Sequence, residues 1–375
     1  MKKHKRKVRI AYFGDSMIEG DLITQDLRDC MQDNFGGAGV GYVPITSIVS
    51  GFRTSITHTF GGWTTYNLVN STPPNHLLGI SGYCFVPDTY FNSDSTNLNS
   101  NSWVRYAPVN RKHIDKFHET KLLYGKSDGE NNVVINGKHY KLNEKNVVNQ
   151  LVINNDDAKK GINANFQCKT PIDIYGFSME SDSGVFVDNF SFRGNSGMPI
   201  CKVPQRVYSE TNNCLGYDLI ILEYGLNVVS PGITDFSWYE SGMGNTIKHI
   251  QESFPGVSIL LISVGDKSFR NNGNYETDPS VPLLVSAQRR MAKDNKLAFW
   301  SLYDAMGGSG SMVKWVQGDE PLANLDYTHF NYKGAHKVGK LLYSKLMSQY
   351  LDYNKKQNHK LDDISETAFG TVLNK

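Results

Sequence analysis

Val8-Arg9-Ile10-Ala11-Tyr12-Phe13-Gly14-Asp15-Ser16 is the stretch on which the fold turns. Its first six residues form a β-rich, mostly apolar run that stops at a glycine. A helical pattern starts near Ile18, with Leu22, Leu27 and Met31 on its apolar side, and runs to the Gly36–Gly41 loop. The same texture returns late in the chain in Asp218–Glu223, Val257–Val264 and Leu297–Leu302. These runs are separated by helix-length segments around Met243–Phe254 and Val281–Lys293. Short apolar strands alternating with helices predict an α/β fold with a parallel sheet and helices on its faces.

Between these regions the texture changes. Residues 53–182 hold short alternating runs rich in Asn, Ser and Thr. Val133-Val134-Ile135, then Asn136-Gly137, then Lys138–Leu142 is the strongest hairpin signal, because Asn-Gly supplies the positive φ angles of a type I′ turn. Leu151–Asn154 and Ile172–Tyr175 continue the strand character. The expectation is a discontinuous α/β domain, 1–52 and 183–375, carrying an inserted β-rich module, 53–182.

The 375 residues include 39 Lys+Arg and 37 Asp+Glu, with 11% aromatics. That balance excludes a disordered chain and lacks the basic excess of a dedicated nucleic-acid binder. Five of the positive charges are Lys2, Lys3, Lys5, Arg6 and Lys7, so the remainder is slightly acidic. The five cysteines have no CxxC spacing, and neither a disulfide framework nor a zinc knuckle follows. The longest apolar run, Val257–Val264, is far shorter than the roughly 20 residues of a membrane span. Only Val8–Phe13 follow the basic start before the glycine turn, too short for an export-signal core of about 7–15 residues. Gly125-Lys126-Ser127 lacks the upstream glycine of a phosphate loop, and Gly36–Gly41 does not fit a dinucleotide fingerprint.

Four local features carry candidate chemistry. Ser16 follows the first strand, where functional groups of open α/β sheets collect, although Gly-Asp-Ser is also an ordinary turn with an N-cap serine. Gly225-Leu226-Asn227 follows the Asp218–Glu223 strand, and an asparagine amide can donate to a developing oxyanion. Asp326-Tyr327-Thr328-His329 offers a histidine with an acceptor three residues earlier. Asp115-Lys116-Phe117-His118 repeats that spacing but sits inside the β-rich region. Arg193-Gly194-Asn195-Ser196-Gly197 is a loop whose glycine N–H groups, at Gly194 or Gly197, could approach a ligand closely.

In this order the four resemble the conserved blocks of the SGNH hydrolase (GDSL-type esterase) superfamily, over residues 8–50 and 185–350. The resemblance implies a flavodoxin-like parallel sheet and a serine esterase without metal or cofactor. It places the nucleophile at Ser16, the base at His329 and its orienting acid at Asp326. The oxyanion hole falls on the Ser16 N–H, the Gly197 N–H and Asn227, with Gly194 as the alternative glycine. Gly14–Asp21, Leu27-Arg28 and Phe35–Tyr42 look like the start of peptidoglycan O-acetylesterases, which also carry an inserted β-sandwich. An acetylated carbohydrate or peptidoglycan substrate and a cell-envelope location are what that branch implies. Leu226 within Gly-x-Asn and Val228 after it depart from the usual pattern. The contrasting reading is a spent scaffold acting as a glycan-binding surface protein. Trp63, Trp103 and Tyr106 are expected either to stack on sugars or to pack a core. Met306-Gly307-Gly308 and Trp315 are candidates to line the pocket.

Overall fold

The structure is a computed structural model, and it describes residues 6–70, 73–88 and 102–356. A five-stranded parallel sheet forms the centre of the α/β part. Its strands, numbered within it, are β1 (Lys7–Gly14), β2 (Gly184–Ser191), β3 (Leu219–Glu223), β4 (Ser258–Ile262) and β5 (Ala298–Trp300). Their spatial order is β2-β1-β3-β4-β5, the doubly wound order of flavodoxin-like folds. β1 runs between two parallel neighbours, with Gly14 in register with Ser191 of β2 and Glu223 of β3. Ile10 to Gly14 are all buried, which is why this strand reads as a continuous apolar run and not as an alternating one.

The flanking helices are α1 (Thr24–Phe35), α2 (Gln205–Leu215), α3 (Ser237–Ser253), α4 (Ser280–Asp294), the short α5 (Leu302–Met306) and α6 (Ser311–Gln317), and the terminal α7 (Tyr332–Lys356). α1 packs against α7, whereas α2, α3 and α4 pack in a row. The pattern predicted to begin near Ile18 is in fact two pieces. A 3-10 turn covers Ser16–Asp21, and α1 starts only at Thr24. Gly20, Asp21 and Ile23 adopt left-handed φ angles of 69°, 69° and 64°. The break is held by the buried Asp21 carboxylate, which accepts from Thr24 Oγ1 at 2.6 Å and from both Arg28 guanidinium nitrogens at 2.8 Å. Burial works against this carboxylate, but Arg28 and Arg53 hold it well below the usual range.

Residues between β1 and β2 build two antiparallel sheets. One contains Trp63–Asn67, Tyr83–Pro87, Ile174–Glu180, Phe117–Tyr124 and Asn149–Lys159, with Gly41–Val43 paired to Ile174–Glu180. The other contains Thr57–Gly61, Ser102–Ala107, Ile162–Gln167, Asn131–Ile135 and Lys138–Leu142. Val104, Val133 and Phe166 of the second sheet share a hydrophobic cluster with Phe85, Leu122 and Phe177 of the first. The expected hairpin is present: Asn131–Ile135 pairs with Lys138–Leu142 across Asn136 (φ 50°) and Gly137 (φ 81°). Tyr106 is a core residue, stacked on His58 and donating to Pro44 O at 2.7 Å. Trp63 meets Phe166 edge-on and donates to Trp103 O at 2.9 Å.

The antiparallel part and the parallel sheet meet over buried charge. Arg9 of β1 donates to Ser178 Oγ at 2.8 Å and Glu180 Oε1 at 3.1 Å, and lies 3.6 Å from Asp188 of β2. Lys7 reaches Glu119 at 2.6 Å and Glu180 at 2.8 Å. Burial raises the Glu180 carboxyl, but Arg9, Lys121 and Lys7 outweigh it and hold the group at about 2. Asp188 also accepts from Tyr42 N at 2.9 Å and Tyr217 OH at 2.8 Å.

Candidate active site

Gly14 ends β1 where a Cβ would lie 2.9 Å from the Ile18 side chain and 3.1 Å from Glu223 O, so a larger residue would crowd the turn. Asp15 follows, buried, with Oδ1 accepting from Met17 N at 3.0 Å. The turn leaves Ser16 half-buried at the carboxyl end of the central strand. Its Oγ lies 2.9 Å from His329 Nε2.

His329 belongs to a loop fixed at several points. His329 O accepts from Asn324 N at 2.8 Å, Tyr327 O accepts from Ser268 N at 3.0 Å, and the Tyr327 ring stacks on Tyr275. Tyr327 takes a left-handed φ of 54°, which swings His329 back over Asp326. Asp326 Oδ1 accepts from the His329 and Thr328 N–H groups, each at 3.0 Å, and Oδ2 faces His329 Nδ1 at 2.8 Å. A carboxylate only accepts, so Nδ1 carries the proton and Nε2 is left to accept from the Ser16 hydroxyl. Partial burial alone would raise the Asp326 carboxyl; hydrogen bonds from His329 and Thr328 prevail and lower it below its ordinary value.

Asn227 lies in the short turn after β3. Its Nδ2 donates to Asp15 Oδ2 and to Asn195 O, both at 3.1 Å. Gly197 is buried with a φ of 94°, and a Cβ there would fall 2.7 Å from Met243 Sδ and 2.9 Å from the Tyr224 ring. Its N–H donates to Asn195 Oδ1 at 2.8 Å. Gly194 is exposed, with open space around its missing Cβ. The structure thus brings Ser16, His329 and Asp326 into one hydrogen-bonded series, and ties Asn227 and Gly197 together through Asn195.

Two residues without a separate role in the sequence reading are central to this geometry. Asn195 uses its backbone carbonyl and its side chain to hold Asn227 and Gly197. Asp15 links the serine turn to Asn227. Both stand inside the quoted motifs, but the contact that ties each of them into the site, from Asn227, comes from far along the chain. Burial pushes Asp15 up to about 7, against the hydrogen bonds from Met17 and Asn227. Glu223, which accepts from Tyr12 OH, is pushed up to about 8 by burial. The Glu19–Arg193 ion pair joins the serine turn to the glycine loop.

His118 stands apart, exposed on Phe117–Tyr124, its carbonyl accepting from Asn155. Met306 and Trp315 are core residues: Met306 Sδ accepts from Asp266 N, and Trp315 packs on Phe330. Among the described residues no helix is long and apolar enough to cross a membrane.

A hydroxyl, an imidazole and a carboxylate in this order can make the hydroxyl nucleophilic. No family model matches the chain, and no curated protein does. Among solved structures, a family two carbohydrate esterase from Clostridium thermocellum is 10% identical, with 67% of this chain and 90% or more of that one covered (93%) and a TM-score of 0.33. A peptidoglycan O-acetylesterase superposes with a TM-score of 0.73 at 23% identity, over 93% of each chain. Along nearly its whole length, this chain therefore shares the fold of that peptidoglycan O-acetylesterase.

Proposed function

We propose that the protein is a serine esterase that removes small acyl groups, acetyl above all, from a carbohydrate or peptidoglycan. The observation that carries this reading is the series Ser16 Oγ, His329 Nε2, His329 Nδ1, Asp326 Oδ2, with bonds of 2.9 and 2.8 Å. Ser16 attacks the ester carbonyl as His329 takes its proton, and Asp326 stabilises the imidazolium that forms. His329 then passes the proton to the leaving sugar oxygen. Water, deprotonated by the same imidazole, releases the acid from the acyl-serine.

The developing oxyanion is assigned to the Ser16 N–H, Asn227 Nδ2 and the Gly197 N–H. Asn227 and Gly197 already donate within the protein, so each must share or exchange a bond as the tetrahedral intermediate forms. The fold neighbour's activity on peptidoglycan acetyl groups supports the choice of substrate class. We assign residues 1–52 and 183–375 to the catalytic domain and 53–182 to the inserted module. A spent scaffold has no use for Ser16 and His329 at bonding distance, so catalysis is the reading the geometry favours.

The test is acetate release from acetylated peptidoglycan and polysaccharides, beside hydrolysis of an aryl acetate, by wild type and Ser16→Ala. Release of acetate by wild type and its loss in the variant is the expected result. Equal turnover by both proteins overturns the assignment.

A further inference from the structure

A groove of about 290 Å³ lies beside the serine turn. It is lined by Glu19 and Gly20 of that turn, by Asn189–Ser191 of β2, by residues of Trp63–Asn67 and Tyr83–Pro87, and by the loop after Gly41–Val43. Ser191 is in register with Gly14, two residues before Ser16, so the groove begins at the carboxyl end of the parallel strands, the end that carries the reacting hydroxyl.

Its charged groups are already matched. Glu19 pairs with Arg193, and Asp21 lies between Arg28 and Arg53. What the groove offers is uncharged: the Thr65 hydroxyl shared with Thr46 at 3.2 Å, the Ser47 hydroxyl, and the Tyr83 ring stacked on Phe192. Asn67 Oδ1 is taken by the Val69 and Asn70 N–H groups, which fixes the side chain. The Asn67 NH₂, the Tyr83 hydroxyl and the Ser191 hydroxyl have no partner among the described residues. One amide held in place and two free hydroxyls in a concave site whose charges are already matched suit a polyhydroxylated, uncharged ligand better than an anion or a cation. The volume stands at the small end of ligand sites, about 300–1,000 Å³, and fits a sugar residue with its substituents.

We propose that this groove binds an uncharged sugar unit of the glycan that carries the ester, next to the unit being deacylated. The proposal rests on the esterase reading and deepens it. Binding energy gained there acts on polymers and is absent for small esters.

The test uses chitotetraose, an uncharged N-acetylated oligosaccharide, titrated calorimetrically into the full-length Ser16→Ala protein. Binding is expected, weakened at least about tenfold when Thr65→Trp fills the groove and less by Tyr83→Phe, which keeps the stacked ring. In the active protein, Thr65→Trp is expected to lower the ratio of kcat/KM on O-acetylated chitotetraose to that on an aryl acetate by about tenfold. Thermal melts establish that each variant is folded; should Thr65→Trp fail to fold, Tyr83→Phe and Ser191→Ala give the same comparison. No chitotetraose binding, or binding and ratio both unmoved by the groove variants, overturns the proposal. Full aryl acetate turnover by Ser16→Ala overturns the esterase reading instead, and the calorimetry then decides the groove by itself.

Discussion

Ser16 owes its place to neighbours that cannot be exchanged freely: Gly14 for lack of room, Asp15 for its bonds to Met17 and Asn227. Ser16→Ala removes one oxygen from a half-buried position. It is expected to cost about 10⁴-fold or more in kcat with the melting temperature little changed. His329→Ala should be nearly as damaging in the same aryl acetate assay, while His118→Ala should be neutral, because His118 is exposed and remote in the fold. Wild-type turnover in His329→Ala, or a matching loss in His118→Ala, contradicts the assignment. Asn227→Ala is expected to lower kcat by roughly 10²–10³ with little change in KM. A KM effect at constant kcat would make it a substrate-positioning residue. The pH profile follows from the series: only neutral imidazole accepts the serine proton, so activity should rise as His329 deprotonates. Asp326, already lowered from 3.8, stays ionised throughout that rise and adds no limb of its own. A flat profile from about pH 5 to 8 with chemistry rate-limiting would contradict the role of His329.

At the scale of elements, the ends of β1 and β3 place two raised carboxyl groups beneath the site. Glu223, across from Gly14, has a folded value of about 8 against an ordinary 4.5, with burial as the main cause. A raised acid favours the protonated fold, so its contribution is complete below 4.5 and is lost as pH rises through about 8. Glu223→Gln keeps a neutral partner for Tyr12. Its melting temperature relative to wild type should therefore increase between pH 5 and 8.5. A difference independent of pH would contradict the buried, protonated state. The parallel strands were legible because buried strands are apolar runs bounded by turns, and the Asn136-Gly137 hairpin because its turn chemistry is local. The break at Asp21–Ile23 was not legible. It depends on Arg28 and Thr24 closing on Asp21, and the Leu22, Leu27 and Met31 spacing gives no sign of it. Asn195 was hidden for a similar reason, since Asn227, which donates to its carbonyl, lies on a separate loop 32 residues further along the chain.

Across the whole molecule, the least legible feature was the junction of the two parts. Arg9 looks like a stray charge in an apolar strand, and its partner Glu180 lies 171 residues away. Removing one member of such a buried pair leaves a charge without compensation. Glu180→Ala is expected to lower unfolding free energy by roughly 3 kcal/mol in urea titrations, moderated by the Asp188 that Arg9 keeps. A change within about 0.5 kcal/mol would show that the junction contributes little. By the same argument, excising residues 53–182 should impair folding and not merely polymer recognition, because Glu180 and the partner strand of Gly41–Val43 go with them. The intact protein is expected to use Ser16 as its nucleophile. The most direct measurement is exposure of the full-length chain to a fluorophosphonate, followed by peptide mass spectrometry. A single adduct on Ser16, formed far more slowly in His329→Ala, is the result expected; an adduct on another residue, or none on the folded protein, would contradict it.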